Sequence, residues 1–485
     1  MKNILYRIIL AAIAASLFAG CGRIESTNLG GSEGPAIIYP DYKEVTIPVN
    51  IAPLNYYYAM KGATAATTTF TAGSESITIR GVEVEWNIRR WKKFIASAAG
   101  GSVDVKASVK VGGKRIEDSW KIYVTEEKVD PYLTYRLIEP AFQMWANVSV
   151  RERNIENFDE SIICDDSVPE NSCRNCHIHG QQRGDLSMFY IRGAHGGAIL
   201  NRDGQLRKLT LNAPGMLSGT VYGELHPSGR FGVFSTNIII PGLHAMYGKR
   251  TEVYDTASDL TVADFDNNRM INLPHTARAD RFETFPCFSA DGNDVFYCVA
   301  DTLPVPRDVD KLLYHLVKVP FDTRTGEMGT QVDTIWNANA HNASVCHPKA
   351  SPDGRWLMFT VSDYGTFPIN HAESALQMID LSTGEVNELR SIKGENSDTF
   401  HSWSSDSRWF VFASKRGDAQ YSKAFFCLLD EEGNPTKPFL LPQKRAHFYD
   451  TNLKSFNVPD LGRESTGMTR RDAKAMYKAE SESFN

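Results

Sequence analysis

The sequence has no excess of charge of either sign, because 52 Lys and Arg residues stand against 58 Asp and Glu residues and the formal net charge is −6. The charges are spread without long runs, which argues against a nucleic-acid-binding surface and against an acidic tail. A helix-rich composition is also absent. Gly, Tyr and Phe are frequent (36, 19 and 25 residues), and many Asp-Gly and Ser-Gly steps indicate strands joined by tight turns.

No apolar stretch is long enough to cross a bilayer, which takes roughly 20 residues. The N-terminal apolar run, 8–18, is shorter than this and follows the basic residues Lys2 and Arg7. Residues 1–20 are therefore predicted to be a secretory signal peptide. The small residues that precede Cys21 resemble the lipobox of bacterial lipoproteins, although an ordinary signal peptidase site with an incidental cysteine remains an alternative.

The lipobox resemblance implies that Cys21 is acylated and anchors the chain to a membrane through lipid. Residues 21–40 are predicted to be a tether, because Gly, Ser and Asn are frequent after Cys21. No aspartate follows Cys21, and by analogy with lipoprotein sorting this favours the outer membrane, with the protein facing the periplasm or the surface. Export also implies an oxidising compartment.

Residues 41–128 are predicted to form a small β-rich accessory domain. Apolar and polar residues alternate over 103–111, and Gly112-Gly113 turns the chain into a second strand over 116–124. Apolar residues at helical spacing predict a short helix over 91–98. The weakly patterned segment 64–71 is interpreted as a loop.

From about Asp130 the sequence becomes repetitive. A turn followed by a strand with bulky residues recurs four times, and its turn residues are Gly229, Gly292, Gly354 and Ser407. A second element, a strand that ends in Asp and a turn, lies between these repeats. Such four-stranded antiparallel units are too small to bury their own faces and must pack against one another.

These repeats, with Ser-Pro-Asp-Gly at 351–354 as the clearest case, resemble the propeller repeats of the TolB-like family. The resemblance implies an all-β fold, a TolB-like β-propeller over 130–460. We expect six blades, with the count uncertain by one. Residues 463–485 are charged and weakly periodic, and are interpreted as a flexible, frayed tail or a short helix.

Cys173-Arg-Asn-Cys176-His177 has the pattern of a c-type haem attachment site. Two thiols at this spacing reach the two vinyl groups on one edge of the porphyrin, and the adjacent imidazole binds the iron from below. Attachment takes place outside the cytoplasm, which agrees with the predicted export. The motif is interpreted as an insertion in the propeller, over 164–180.

Three other interpretations of this motif stay open. The two thiols of the motif form a disulfide in an oxidising compartment, or exchange with Cys164. Together with His177 and His179 they bind zinc, although no second Cys or His pair lies at zinc spacing. A thioredoxin-like redox pair is the third alternative, but no βαβ pattern surrounds the motif.

The region from Pro131 onward resembles a group of exported TolB-like proteins that are often labelled cytochrome c biosynthesis proteins. The resemblance includes 171–179 and 192–197 and implies a propeller lipoprotein of the cell envelope. We expect one covalently bound haem c, with His177 as the proximal iron ligand, that serves electron transfer or redox sensing with envelope protein partners. The alternative is a haem-free scaffold that binds proteins or glycans.

The distal side of such a haem has several candidates, and His195 ranks first because it lies among glycines, where the backbone can approach a flat cofactor. The other candidates are His179, Met188 and His347. Three histidines precede repeat turns, a region of propellers that opens onto the central channel, and they are His226, His347 and His401. The geometry allows them to cluster there, but each taken singly fits better a hydrogen-bonded histidine that caps a strand. Cys287 and Cys298 flank one turn and strand, which allows a cross-strand disulfide.

Some serine peptidases carry a similar propeller before an α/β-hydrolase domain. No Gly-x-Ser-x-Gly elbow is present, and little sequence follows the last repeat. We therefore expect no hydrolase activity.

Overall fold

The computed structural model describes residues 34–139, 148–168, 174–193, 195–273 and 275–485, and for Asn175 and Cys176 it describes the backbone only. Cys21 and Cys173 lie outside the described residues. Almost all of the regular structure is β-strand, in an N-terminal domain and a ring of small sheets. The predicted all-β class is confirmed.

The N-terminal domain contains a five-stranded sheet, a small three-stranded sheet and one helix. Its elements are β1 (Ile38–Tyr39), β2 (Val45–Pro48), β3 (Tyr56–Tyr58), β4 (Ala63–Ala72), β5 (Glu75–Arg80), β6 (Glu83–Val84), α1 (Ile88–Ala96), β7 (Gly101–Val111) and β8 (Lys114–Thr125). The strand orders are β2-β8-β7-β4-β5 and β1-β3-β6. The predicted hairpin of β7 and β8 is confirmed.

The expected loop over 64–71 is wrong, because these residues belong to β4. Ala66, Thr68 and Phe70 are buried in alternation with more exposed neighbours. The buried side chains are mostly small, so the apolar alternation is weak, but β-branched threonine suits a strand. Helix α1 is present as predicted, and the side chain of Asn87 caps its N-terminus.

The N-terminal domain packs on the last blade of the ring. The hydroxyl of Tyr42 donates to the carbonyl oxygen of Leu440 (3.2 Å). The amide of Asn55 donates to the carbonyl oxygens of Gln443 (3.1 Å) and Lys444 (3.0 Å). Buried side chains of the domain continue into one hydrophobic core with those of blades 1, 5 and 6.

The remaining strands of the described residues form six blades. Their elements are β9 (Tyr132–Ile138), β10 (Ser149–Asn154), β11 (Glu160–Cys164), β12 (Arg174–Gly180), β13 (Arg183–Ile191), β14 (Gly197–Arg202), β15 (Gln205–Thr210), β16 (Thr220–Leu225), β17 (Phe231–Ile239), β18 (Asp255–Asp264), β19 (Arg269–Asn272), β20 (Arg281–Phe288), β21 (Asp294–Asp301), β22 (His315–Pro320), β23 (Asp333–Trp336), α2 (Ala338–His341), β24 (Ser344–Ala350), β25 (Trp356–Ser362), β26 (Ala375–Asp380), β27 (Val386–Asn387), β28 (Asp398–Trp403), β29 (Trp409–Ser414), β30 (Lys423–Leu428), β31 (Phe439–Leu440), α3 (Phe448–Thr451), β32 (Ser455–Gly462), α4 (Arg470–Lys478) and β33 (Glu482–Ser483).

From the innermost strand outwards, the blades are β32-β9-β10-β11 (blade 1), β12-β13-β14-β15 (blade 2), β16-β17-β18-β19 (blade 3), β20-β21-β22-β23 (blade 4), β24-β25-β26-β27 (blade 5) and β28-β29-β30-β31 (blade 6). Strand β32 pairs with β9, so the end of the chain supplies the innermost strand of the first blade. Each innermost strand contacts the innermost strands of both neighbouring blades. The ring is therefore closed around a central channel.

The repeated turn has one backbone conformation in four blades. Gly229, Gly292 and Gly354 have φ of +73°, +74° and +75°, and Ser407 has φ of +62°. Positive φ is the region that glycine adopts without steric cost. At Ser407 the hydroxyl accepts a hydrogen bond from the backbone N–H of Asp353 in the neighbouring blade (2.9 Å).

The expectation of a flexible tail over 463–485 is wrong, because this segment is folded against blade 2, whereas the alternative of a short helix is confirmed by α4. Thr469 and Asp472 form a capping box at the start of α4. Strand β33 pairs in parallel with β15, and Phe484 is buried in the core of blades 2 and 3. The segment is charged because most of α4 faces solvent, and a few apolar residues are sufficient to anchor it.

The interpretation of 164–180 as an insertion is wrong for the part of the segment that the structure describes. Cys164 ends the outer strand of blade 1, and 174–180 form the innermost strand of blade 2. A bulge interrupts the alternation of apolar and polar residues in β12, so the sequence pattern did not indicate a strand there.

Candidate functional site: the central channel

The innermost strand of every blade contains a bulge that faces the channel. Two residues of each innermost strand have no partner in the pairing with the second strand of the blade. In blade 5, for example, Cys346 pairs with Thr360 and the next pair is Lys349 with Met358, which leaves 347–348 unpaired. In blade order the bulged residues are 458–459, 176–177, 221–222, 285–286, 347–348 and 400–401. Bulges of this kind redirect side chains next to functional sites.

In four of the six bulges, the first bulged residue has a positive φ. The values are +50° for Phe285, +53° for His347, +48° for Phe400 and +50° for Val458. Proline follows three of these residues, at 286, 348 and 459. Proline has no N–H and suits a position outside the ladder. An aromatic or apolar residue followed by Pro is thus the sequence signal of the channel bulge.

The Cys-x-x-Cys-His motif ends in the bulge of blade 2. Asn175 pairs with Tyr190 and Ile178 with Met188, which leaves Cys176 and His177 as the bulged pair. Cys176 therefore holds the same position in blade 2 that His347 holds in blade 5. Residues 174–177 of the motif lie on the innermost strand of blade 2.

His177 is almost completely buried, at 3% exposure. Neither ring nitrogen has a partner at full hydrogen-bond geometry among the described residues, although the backbone of Val458 lies close enough to favour the protonated ring. Burial lowers the pKa of His177 to about 3, against the opposing effect of Asp460. The imidazole is therefore neutral at physiological pH and retains a free lone pair. A buried polar group without a partner costs free energy of about 1–3 kcal/mol, so these nitrogens are suited to a bound group.

His179 differs from His177, because both of its ring nitrogens are engaged. Nε2 lies 3.2 Å from the hydroxyl of Thr134 and Nδ1 lies 3.1 Å from the carbonyl oxygen of Leu461. Within the described part of the chain, no group of three or more His, Cys, Asp or Glu residues has the geometry of a metal site. The zinc interpretation is not tested by this, because Cys173 and the side chain of Cys176 lie outside the described residues.

Aromatic rings line the channel from blade 3 to blade 6 in an unbroken row. The centroid distances are 4.4 Å between Tyr222 and Phe285, 4.3 Å between Phe285 and His347, and 4.7 Å between His347 and Phe400. Burial lowers the pKa of His347 to about 3, so this imidazole is also neutral. The row was not predicted from the sequence, although the residue-Pro signal at Phe285 and His347 is visible there.

Charged side chains continue the channel lining beyond the bulges. The ammonium group of Lys349 lies 3.6 Å from a carboxylate oxygen of Glu224. Asp460 accepts hydrogen bonds from the hydroxyl of Ser402 (2.6 Å) and from the backbone N–H of His179 (3.0 Å). The ion pair links the innermost strands of blades 5 and 3, and Asp460 links the innermost strand of blade 1 to those of blades 6 and 2.

The other predicted histidines lie in different environments. His195 is exposed in the connection between β13 and β14, where its ring packs edge-on against Tyr477 of α4 (5.7 Å). His226 supports a turn, because Nε2 bonds to the carbonyl oxygen of Gly292 (3.1 Å). His401 is buried, and its Nε2 bonds to the carbonyl oxygen of Met358 in the second strand of blade 5 (3.0 Å). Thus His177, His347 and His401 all belong to bulges of innermost strands, whereas His195 and His226 do not.

The expected pairing of Cys287 with Cys298 is wrong. Both thiols are free and buried, because the register places Cys287 opposite Phe296 and Cys298 opposite Thr284. Cys164 is also free, and burial raises the pKa of its thiol to about 12. It is therefore a structural thiol with little thiolate at neutral pH.

No helix among the described residues is long and apolar enough to cross a membrane.

No family model matches the chain, and no curated protein matches it. The solved structures to which it is similar include TolB from Acinetobacter baumannii, at 10% identity over 74% of this chain and 79% of TolB, with a TM-score of 0.44. A puromycin-hydrolyzing peptidase of Mycobacterium tuberculosis is similar at 11% identity over 71% of this chain and 52% of the peptidase, with a TM-score of 0.38. The periplasmic gluconolactonase of Pseudomonas aeruginosa is similar at 14% identity over 65% of this chain and 98% of the lactonase, with a TM-score of 0.35. The propeller assignment itself follows from the strand pairing described above.

Proposed function

We propose that this protein is an exported β-propeller that carries one haem c on Cys173, Cys176 and His177, and that it transfers electrons or senses redox state with a protein partner of the cell envelope. The observation that carries the proposal is the state of His177. It follows Cys176 directly, lies in the channel bulge of blade 2, and has two buried ring nitrogens without a partner at full hydrogen-bond geometry among the described residues.

The residues of the motif have separate tasks in this proposal. The thiols of Cys173 and Cys176 would hold the haem through thioethers to its vinyl groups, and His177 would bind the iron. The bound haem supplies a one-electron carrier whose potential depends on its axial ligands and on its burial. The aromatic row of the channel provides apolar surface that excludes water from one side of the bulge.

Export and anchoring belong to the same proposal. Covalent haem attachment takes place outside the cytoplasm, and a lipidated Cys21 would keep the propeller at the outer membrane, facing the periplasm or the surface. More than one acyl chain on Cys21 gives stable rather than marginal anchoring. The support is the sequence pattern of the first 35 residues.

The test is to produce the full chain in cells that contain haem-ligation machinery and to measure its pyridine haemochrome spectrum. Haem should remain with the protein on a denaturing gel. The double variant Cys173→Ala/Cys176→Ala should lose covalent haem, whereas Cys164→Ala, which removes the nearby free thiol, should retain it. A wild-type protein without a haemochrome spectrum would contradict the proposal and leave the haem-free scaffold for protein or glycan binding.

A further inference from the structure

The connection between β17 and β18 of blade 3 forms an exposed surface outside the central channel. We infer that its apolar tip, at Met246 and Tyr247, inserts into the surface of the lipid bilayer to which the chain is anchored. The inference rests on the proposed acylation of Cys21 and is independent of the haem. Residues 240–254 are called the arm, and residues 245–248 are called the arm tip.

The sequence that leads to the arm tip is apolar and uncharged. Residues 238–248 contain no Asp, Glu, Lys or Arg, and they read Ile-Ile-Ile-Pro-Gly-Leu-His-Ala-Met-Tyr-Gly. Met246 is 38% exposed and Tyr247 is fully exposed, and Ile238 and Ile239 at the base of the arm are exposed as well. Large apolar side chains that are exposed together mark an interaction surface.

The arm has a defined backbone structure. His244 and Glu252 exchange two backbone hydrogen bonds of 2.9 Å, as opposite residues of antiparallel strands do. Across the tip, the backbone N–H of Lys249 donates to the carbonyl oxygen of Met246 (3.0 Å). Met246 and Tyr247 therefore lie in the end turn of a short antiparallel hairpin.

Contacts with blades 4 and 5 hold the arm on the propeller. The ammonium group of Lys249 lies 2.9 Å from a carboxylate oxygen of Asp310. The backbone N–H of Arg250 donates to the hydroxyl of Tyr364 (2.8 Å), and Ile240 packs against a small apolar cluster that includes Tyr364. The basic side chain next to the tip is thus paired within the protein, whereas the tip presents apolar side chains to solvent.

A lipid bilayer is the partner that these observations favour. The sequence between Cys21 and Gly34 comprises 12 residues and spans at most roughly 45 Å, so an acylated Cys21 keeps the propeller close to one bilayer. A tyrosine ring suits the boundary between headgroups and acyl chains, because its body is apolar and its hydroxyl is polar. Because the tip carries no charge, its insertion is driven by apolar area and needs no anionic lipid.

The insertion of two side chains is weak and reversible compared with acylation. The arm tip therefore orients a propeller that is already anchored, and it does not replace the acyl chains. This agrees with the expectation that a chain without the anchor is lost from a washed membrane fraction.

The experiment uses the full, acylated chain, purified and reconstituted into vesicles of neutral phosphatidylcholine with or without bromine on the acyl chains. Bromine quenches tryptophan fluorescence on close contact, so the ratio of the two emissions reports insertion. The probe variant is Tyr247→Trp. The control is Val332→Trp, because Val332 is 42% exposed and lies in the connection between β22 and β23.

This control lies at the opposite end of the propeller from the arm. The arm joins the second and third strands of its blade, whereas the control connection joins the third and fourth, and successive connections of an antiparallel blade lie at opposite ends. Two further variants carry Tyr247→Trp together with either Met246→Asp or Met246→Leu. The first adds a charge to the tip and the second keeps the tip apolar. All four sites are exposed at least in part, so urea unfolding should match that of the wild type.

We expect brominated lipid to remove emission from the added tryptophan of Tyr247→Trp, and to leave that of Val332→Trp unchanged. Met246→Asp should abolish this quenching and Met246→Leu should retain it. Raising the salt to about 0.5 M screens exposed charges and should leave the quenching unchanged.

Three results would overturn the inference in a chain that takes up labelled palmitate. They are equal quenching of both probe positions, quenching that survives Met246→Asp, and emission from Tyr247→Trp that shifts to the blue without quenching by bromine. The last result would show that a protein surface, such as a second copy of the chain, covers the tip. A wild type without palmitate would instead overturn the proposed anchor, and this inference with it.

Discussion

Glu252 and His371 are 119 positions apart in the sequence, and a hydrogen bond joins the carboxylate to Nε2 of the imidazole in a buried site. The side chain of His371 is 0% exposed and that of Glu252 is 2% exposed. Nδ1 of His371 lies 2.9 Å from Glu373, which also accepts a hydrogen bond from Arg250 (3.0 Å). This cluster joins the loop between β17 and β18 of blade 3 to the loop after β25 of blade 5.

The first prediction concerns the pH dependence of this cluster. Burial by itself lowers the pKa of His371, but hydrogen bonds with Glu252 and Glu373 outweigh it and raise the pKa to about 8. An unfolded histidine titrates near about 6.5. Because the folded pKa is higher, the stabilisation is fully present below about pH 6.5 and is lost as the pH rises through about 8.

The shift corresponds to about 2 kcal/mol. We therefore expect the His371→Gln variant to be less stable than the wild type at pH 6, and the difference to shrink by about this amount at pH 9. Urea unfolding at both values measures it. The His341→Gln variant changes an exposed histidine and should keep the wild-type pH dependence. An unchanged difference between pH 6 and pH 9 would show that His371 is not protonated in the folded protein.

The second prediction separates two effects at the repeated turn. A Cβ on Gly354 would meet only the Cβ of Ala290, at 3.6 Å, so Gly354→Val adds mainly backbone strain of about 1–3 kcal/mol. A Cβ on Gly292 would lie 2.1 Å from Nε2 of His226. Gly292→Val should therefore cost more than Gly354→Val in urea unfolding. Pro352→Ser, which copies the fourth repeat at Ser405, is the control, and equal costs at both glycines would refute the role of His226.

The repeats could be predicted because their turns are local. Asp and Gly at fixed positions specify a turn within a few residues, so Gly229, Gly292 and Gly354 revealed the blades. The contacts that close the molecule are between distant segments. Nothing near β32 indicates that it pairs with β9, and nothing near Phe484 indicates that it enters the core of blades 2 and 3.

The candidate site was only partly predictable for the same reason. Cys176 and His177 form a recognisable motif, but the bulge that contains them breaks the alternation of β12 and made it resemble an insertion. The sequence named His347 as a candidate ligand, but the surroundings of its side chain could not be predicted. Its neighbours Phe285 and Phe400 come from two other blades, and their ring contacts exist only in the closed ring.

The third prediction concerns the anchor. We expect Cys21→Ala to release the protein from the membrane fraction, since the lipobox resemblance makes Cys21 the acylated residue. Fractionation and incorporation of labelled palmitate measure the two consequences separately. Cys427→Ala changes a buried thiol of blade 6 and should leave both unchanged. Membrane association and palmitate labelling of Cys21→Ala at the wild-type level would contradict the prediction.

The fourth prediction concerns the end of the chain. Phe484 is 4% exposed and packs in a core with Leu209, Phe265 and Met270. Backbone hydrogen bonds hold the same segment, because Asn485 accepts from Met270 (2.9 Å). A buried Phe replaced by Ala typically costs about 3–5 kcal/mol, so Phe484→Ala should strongly lower the free energy of unfolding.

Ser483→Ala is the matched control, because Ser483 is the exposed neighbour of Phe484 in the same strand-like segment. It should change the stability by less than about 0.5 kcal/mol. If the tail moved freely, the two variants would have the same free energy of unfolding in urea. A large loss for Phe484→Ala alone would show that the segment after β32 is part of the packed propeller, with β33 acting as a fifth strand of blade 2.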